Sequence, residues 1–243
     1  MSVAVPHVGA GRRPVLPSSL RSLKVPVSGG GAQQVRSGAG REVACVPGRF
    51  PDGGVLRKVA VSGQRLSSFT DAQQRWAADE TSGVLRRLRE ERGARILITS
   101  MGLGFELWAA EEARSLGYSV WAYAPFPQQA DGWPMRWRER WENVLGNSAC
   151  EVYASGRFDV GAYAVCDELM AADCDVMVSA VTAGPGRLTA LRSLRAASGA
   201  GKVAFVVDAG CRRSGVVGTD WLDGPRSRGG DSRGGSRHDR ARG

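Results

Sequence analysis

One succession constrains the fold of this chain more than any other: an apolar run, a glycine turn, an amphipathic helix and a second apolar run. It is centred on Met101-Gly-Leu-Gly-Phe-Glu-Leu-Trp-Ala-Ala-Glu-Glu-Ala113, with Ile96-Leu-Ile-Thr99 before it and Ser119-Val-Trp-Ala-Tyr-Ala124 after it. That order is the pattern of a β-α-β unit. Parallel strands cannot be joined by a tight hairpin, so the helix must cross over and cover a face of the sheet. The glycines also let the backbone come close to a ligand at the helix N-terminus.

The same alternation continues on both sides. Strands are predicted at Lys58–Val61, Ala94–Thr99, Ser119–Ala124, Glu151–Tyr153, Asp175–Val181 and Val203–Val207. Helices are predicted from Asp71 to about Arg92, with Trp76, Val84, Leu85 and Leu88 facing inward, and from Phe105 to Leu116. Further helices run from Pro134 to Leu145, from a cap at Asp159 to about Ala172, and from Leu188 to Ala197. Strands separated by helical stretches of this length imply a mainly parallel sheet between two helical layers. The expected architecture is α/β: a single Rossmann-like three-layer domain over residues 55–210, with an N-terminal extension 1–54 and a basic tail 211–243.

Charge supports that division. The net charge of +9 would suggest a nucleic-acid binder, but residues 1–54 contribute +5 and residues 212–243 contribute +4, leaving residues 55–211 neutral. The extension is rich in Gly, Ser, Pro and Val, and the tail carries Arg-Gly-Gly triplets at Arg228 and Arg233. Neither segment has enough apolar side chains to offset ordering entropy, so both are expected to be disordered. The tails offer weak electrostatic contact with nucleic acid. No signal-peptide core and no membrane-length apolar run are evident. Five cysteines without a C-x-x-C pair argue against a disulfide framework or zinc site and suggest a cytoplasmic protein.

Ligands of open parallel sheets bind outside the carboxyl ends of the strands. Those ends carry Ser62-Gly63-Gln64-Arg65, then Ser100-Met-Gly102-Leu-Gly104-Phe-Glu106, Pro125-Phe126-Pro-Gln-Gln129 with Trp133 beyond, and Thr182-Ala-Gly184-Pro-Gly186-Arg187. Glu106, in the first helical turn, either complements the helix dipole or accepts hydrogen bonds from ribose hydroxyls. Gly102 and Gly104 serve a tight turn or close backbone approach. Arg65 and Arg187 are anion clamps or ordinary surface residues. Gln128 or Gln129 can read a base edge through its amide, and Trp133 can contact a ligand ring. Trp133, Trp137 and Trp141, spaced four apart, are more simply read as core packing than as a stacking platform.

Three of these stretches resemble the SLOG superfamily, the Rossmann-like group that includes DprA-type DNA-processing proteins and lonely-guy phosphoribohydrolases. Ser62-Gly63-Gln64-Arg65, Gly102-Leu-Gly104-Phe-Glu106-Leu-Trp-Ala-Ala110 and Pro125-Phe126-Pro-Gln-Gln129…Trp133 match its YpsA-like branch in order and spacing. The resemblance implies a Rossmann-like fold and the sensing or processing of a nucleotide-derived ligand. The chain departs from the branch at Gln64, where His is usual, and at Gly184-Pro185-Gly186-Arg187, where a Gly-Gly-Thr loop is usual. An Arg-Asn pair is also replaced, with Cys166-Asp167-Glu168 lying thereabouts.

Missing groups limit the chemistry. The only histidines, His7 and His238, are in the flanking segments, so the central domain has no imidazole to activate a nucleophile. No carboxylates stand at metal-ligand spacing. The lonely-guy loop Gly-Gly-x-Gly-Thr-x-x-Glu has no counterpart with its Glu. The leading expectation is therefore non-catalytic or weakly catalytic binding, sensing or processing, of a nucleotide or ADP-ribose-like ligand, without an identified cofactor. One alternative is a nucleoside-phosphate N-glycosidase using Glu106. Another is a DprA-like nucleic-acid accessory protein using the tails and the Arg/Trp helix around Trp133, Trp137 and Trp141. Beyond the small ligand, a second copy of the chain is an expected partner, and a membrane is not.

Overall fold

The computed structural model describes residues 46–47, 54–184 and 186–218. The expectations for residues 1–45, 48–53 and 219–243, and for Pro185, lie outside the described residues.

The strands are β1 (Val46–Pro47), β2 (Lys58–Gly63), β3 (Ile96–Thr99), β4 (Ser119–Ala124), β5 (Cys150–Tyr153), β6 (Val176–Val181), β7 (Val203–Asp208) and β8 (Arg213–Val216). They form one sheet in the order β1-β8-β7-β6-β2-β3-β4-β5. From β7 to β5 every neighbouring pair is parallel, while β8 runs antiparallel to β7 and β1 antiparallel to β8. Central strands of this kind are buried on both faces and therefore read as unbroken apolar runs. β6 is the plainest case, with all of Val-Met-Val-Ser-Ala-Val buried.

Among the described residues five helices cover the two faces: α1 (Asp71–Arg92), α2 (Phe105–Ser115), α3 (Met135–Gly146), α4 (Ala162–Asp173) and α5 (Arg187–Gly199). Alternate strand residues face opposite layers. Val59, Val61, Leu97, Val120 and Phe205 pack with Leu85 and Leu88 of α1, Leu107 of α2 and Val144 of α3. Ala60, Ile98, Met177, Ala204 and Val206 pack with Met170 of α4 and Leu194 of α5.

The helix ends are chemically specified. Thr70 and Gln73 form a reciprocal capping box at the start of α1, and Gly93 closes it in the left-handed conformation at φ 73°. Pro134 stands at the N-cap of α3. Asp159 does not cap α4. Its carboxylate accepts the Gly161 N–H at 2.8 Å, and Gly161 is the N-cap. The short Asx turn therefore delays the helix by two residues.

The sheet extends beyond residues 55–210, because β1 and β8 add two strands at the β7 edge. Neither Val46–Pro47 nor Arg213-Ser-Gly-Val216 carries an alternation of its own. β8 pairs with the β7 edge, and β1 pairs in turn with β8.

Strands β2 to β5 are laid down in one direction, and the chain then returns to place β6 on the other side of β2. The reversal point between β2 and β6 is where an open α/β sheet leaves a crevice at its carboxyl edge.

Candidate functional site

The four glycine- and proline-containing loops follow β2, β3, β4 and β6, which are consecutive in the order β6-β2-β3-β4. They therefore sit side by side along one edge. Polar side chains stitch each loop to the next.

The first stitch spans the reversal point. Gln64 is buried, its N–H donates to Ala180 O at 3.1 Å, and its Oε1 accepts the Thr182 N–H at 2.5 Å. The amide thus closes the gap between β2 and β6. Gly186, the N-cap of α5 at φ 82°, lies against the same side chain, where a Cβ would meet Gln64 Cγ at 3.8 Å.

The second stitch joins the loops after β2 and β3. Glu106 is 9 % exposed, and its Oε1 accepts the Gly63 N–H at 3.1 Å. A Cβ on Gly102 would stand 3.1 Å from Oε2 of the same carboxylate. Burial pushes the Glu106 carboxyl up to about 7. Backbone hydrogen bonds, including that from Gly63, resist the shift, and the negative charge of Asp167 adds a little to it. Thr99 supports the turn, since its Oγ1 accepts the Met101 N–H at 3.1 Å and donates to the Glu106 carbonyl at 3.3 Å. Met101 is held at φ 59°, where a non-glycine residue is uncommon.

The glycines here answer to packing. A Cβ on Gly63 would lie 2.6 Å from Phe105 Cδ1 and 2.9 Å from its Cγ. Gly63→Ala is expected to destabilise the domain by about 2 kcal/mol, the overpacking cost of a buried site. A denaturant titration checks this, and Phe105→Leu in the same chain should recover part of the loss. Additive effects of the two substitutions would show that the ring does not oppose the new methyl.

The third stitch involves Gln129. Its Nε2 donates to Ser100 O at 3.1 Å, and its Oε1 accepts the Trp141 Nε1–H at 3.3 Å. One donor and one acceptor position of the amide are thus engaged, which fixes its orientation. Trp141 is buried, and Trp133 and Trp137 pack on the core beside it. The tryptophan stripe is therefore packing, with Arg140 stacked 4.4 Å from the Trp137 ring centre and paired with Glu111.

The other predicted residues divide in their placement. Ser62 lies within β2 and not in the loop, because pairing with β6 continues to Gly63; its buried hydroxyl donates to Ser179 Oγ at 3.0 Å. Arg65 is exposed at the start of a short 3-10 turn, Leu66–Ser68. Pro125 and Phe126 are buried, and Phe126 meets Phe158 and Tyr163 edge-on at 5.2 and 5.7 Å. Gly184 is exposed at φ 108°. Arg187 reaches Asp208 at the end of β7, Nη2 to Oδ2 3.0 Å.

Asp208 was not foreseen. Its Oδ1 accepts the Gly210 N–H at 3.0 Å, so the loop after β7 joins the same edge through the ion pair with Arg187. Its signal in the sequence is its position directly after the apolar run Val203–Val207, at a strand's carboxyl end. Asp167 of α4, also buried, is held by Arg192 at 2.6 Å and Ser193 at 2.8 Å. It supplies the second carboxylate near Glu106. Among the described residues no cluster of three or more His, Cys, Asp or Glu could hold a metal ion, and no helix is long and apolar enough to cross a membrane.

No family model matches the chain. No curated protein matches it. Solved structures similar to it include DNA processing protein A (DprA) from Streptococcus pneumoniae, at 16 % identity over 62 % of this chain and 50 % of that one, TM-score 0.47. The molybdenum cofactor carrier protein of Chlamydomonas reinhardtii is similar at 18 % identity over 62 % of this chain and 75 % of that one, TM-score 0.39. The chain thus spans about half the length of the DprA it matches. What the protein is rests on its own architecture, a Rossmann-like α/β sheet with a polar, glycine-lined carboxyl edge.

Proposed function

We propose that the protein binds a small nucleotide-derived ligand at the carboxyl edge where β2, β3 and β6 end. The observation that carries this reading is the second carboxylate oxygen of Glu106. Oε1 is taken by the Gly63 N–H, while Oε2 has no hydrogen-bond partner among the described residues although the side chain is buried. Among the described residues the only enclosed side-chain polar atom without a partner is Thr81 Oγ1, so Oε2 opens to the edge, where a ribose hydroxyl or an exocyclic amine can donate to it. Arg187, on the neighbouring loop, supplies a cation for a phosphate, in exchange for part of its pairing with Asp208. The order of the three motif stretches supports placement in the YpsA-like branch of the SLOG group, with ADP-ribose-like compounds as the first ligands to examine.

Calorimetric titration with a panel of nucleotides, ADP-ribose and cyclic forms tests the reading. At least one should bind more tightly than roughly millimolar, about −4 kcal/mol. Glu106→Ala should then weaken it at least tenfold. Failure of the whole panel, or binding indifferent to Glu106, would remove the assignment.

A second reading has one observation in its favour. A carboxyl titrating near 7 is partly protonated at neutral pH and can act as a general acid toward a departing base. This is the nucleoside-phosphate N-glycosidase alternative. Release of free base from nucleoside monophosphates, abolished by Glu106→Gln, would favour it over simple binding.

A further inference from the structure

A cavity of about 210 Å³ lies between the 3-10 turn and helices α1 and α2. Its walls are the rings of Phe69, Phe105 and Trp108, and its α1 side is formed by the small residues Ala77 and Ala78. An apolar cavity of roughly 150 Å³ holds a benzene ring. The space here therefore takes one ring and a short substituent.

The shape of the cavity is fixed by backbone contacts. Gly104, at φ 122°, brings the start of α2 so close to the turn that a Cβ would stand 2.9 Å from Leu66 N. The Gln74 amide donates to the carbonyls of Leu66 and Phe69 at 3.0 and 3.2 Å, fastening the turn to α1. Phe105 and Trp108, one helical turn apart, hold their rings 6.0 Å apart at 39°. These walls are preformed, which lowers the entropy lost on binding.

One charged side chain borders this apolar space. Arg75 lines it, is exposed, and has no ion-pair partner among the described residues. We propose that this groove binds a small aromatic acid, with a single ring against Phe69, Phe105 and Trp108 and the anionic group on Arg75. The guanidinium fork fits a carboxylate or a phosphate alike. A neutral aromatic compound would gain only the ring contacts.

Three probes separate the contributions: phenylacetate, phenyl phosphate and the neutral benzyl alcohol, each titrated into the full chain by calorimetry and by ligand-observed NMR. At least one of the two acids should bind at submillimolar to low-millimolar concentration, and whichever binds identifies the anion preferred. Arg75→Gln should weaken that acid at least fivefold and leave benzyl alcohol unchanged. Ala78→Leu, which places bulk in the groove from a half-exposed position, should abolish binding of all three. Trp108→Leu serves instead if that variant does not fold. The proposal is overturned if none of the probes binds below about 10 mM, an affinity of under 3 kcal/mol. It is equally overturned if the acid binds independently of Arg75 or survives filling of the groove.

Discussion

Gly104→Ala is expected to destabilise the protein by about 3 kcal/mol, which lowers the melting temperature of a domain this size by about 6–12 °C. Two terms add. At φ 122° and ψ −111° the residue sits where side chains are essentially excluded, a strain of about 1–3 kcal/mol. The new methyl would also meet Leu66 N at 2.9 Å, a backbone atom that cannot swing aside. The reduced freedom of the unfolded chain returns less than about 1 kcal/mol. Gly83→Ala provides the opposite sign from the same substitution. It lies inside α1 with nothing within 4 Å of a Cβ, so alanine should stabilise by about 1 kcal/mol. Equal thermal shifts for the two variants would show that the loop after β3 does not hold this conformation.

The dependence of stability on pH should be dominated in one window by Glu106. An ordinary glutamate titrates near 4.5, and this one, folded, near 7. Between those values the folded state holds a proton that the unfolded chain has released. Stability from this group is therefore complete below about 4.5 and is lost as pH rises to about 7, a fall on the order of 3 kcal/mol. Glu106→Gln keeps an acceptor for the Gly63 N–H and has no charge to bury. Urea midpoints of the two proteins should coincide near pH 4.5 and diverge up to pH 7–8, with the Gln variant the more stable. Parallel curves would mean that the carboxyl titrates normally and is open to water. The same titration should appear in ligand affinity, since a ligand that offers donors to Oε2 prefers the ionised form.

Local pattern made most elements legible. The 3.6-residue period located α1 with the bounds Asp71–Arg92 that the structure shows, and the apolar run located β4 at Ser119–Ala124. What pattern does not carry is adjacency. Gln64 bonds Thr182 across 118 residues, Glu106 bonds Gly63 across 43, and Arg187 bonds Asp208 across 21. Each link depends on which strands are neighbours. Strand order follows from the whole set of crossovers and not from any one stretch. The same ignorance made Ser62 look like a loop residue, because only the β6 partner extends β2 that far. Glycines were legible as turn formers, but not as the complements of particular rings.

That complementarity has a consequence for the natural history of the chain. Position 63 carries no side chain because the Phe105 ring occupies the volume one would need. Neither residue is then free to vary by itself. In sequences descended from a common ancestor, alanine or serine at the first position should travel with a smaller or reoriented residue at the second. Such correlated replacement would be recorded in lineages long before any laboratory variant.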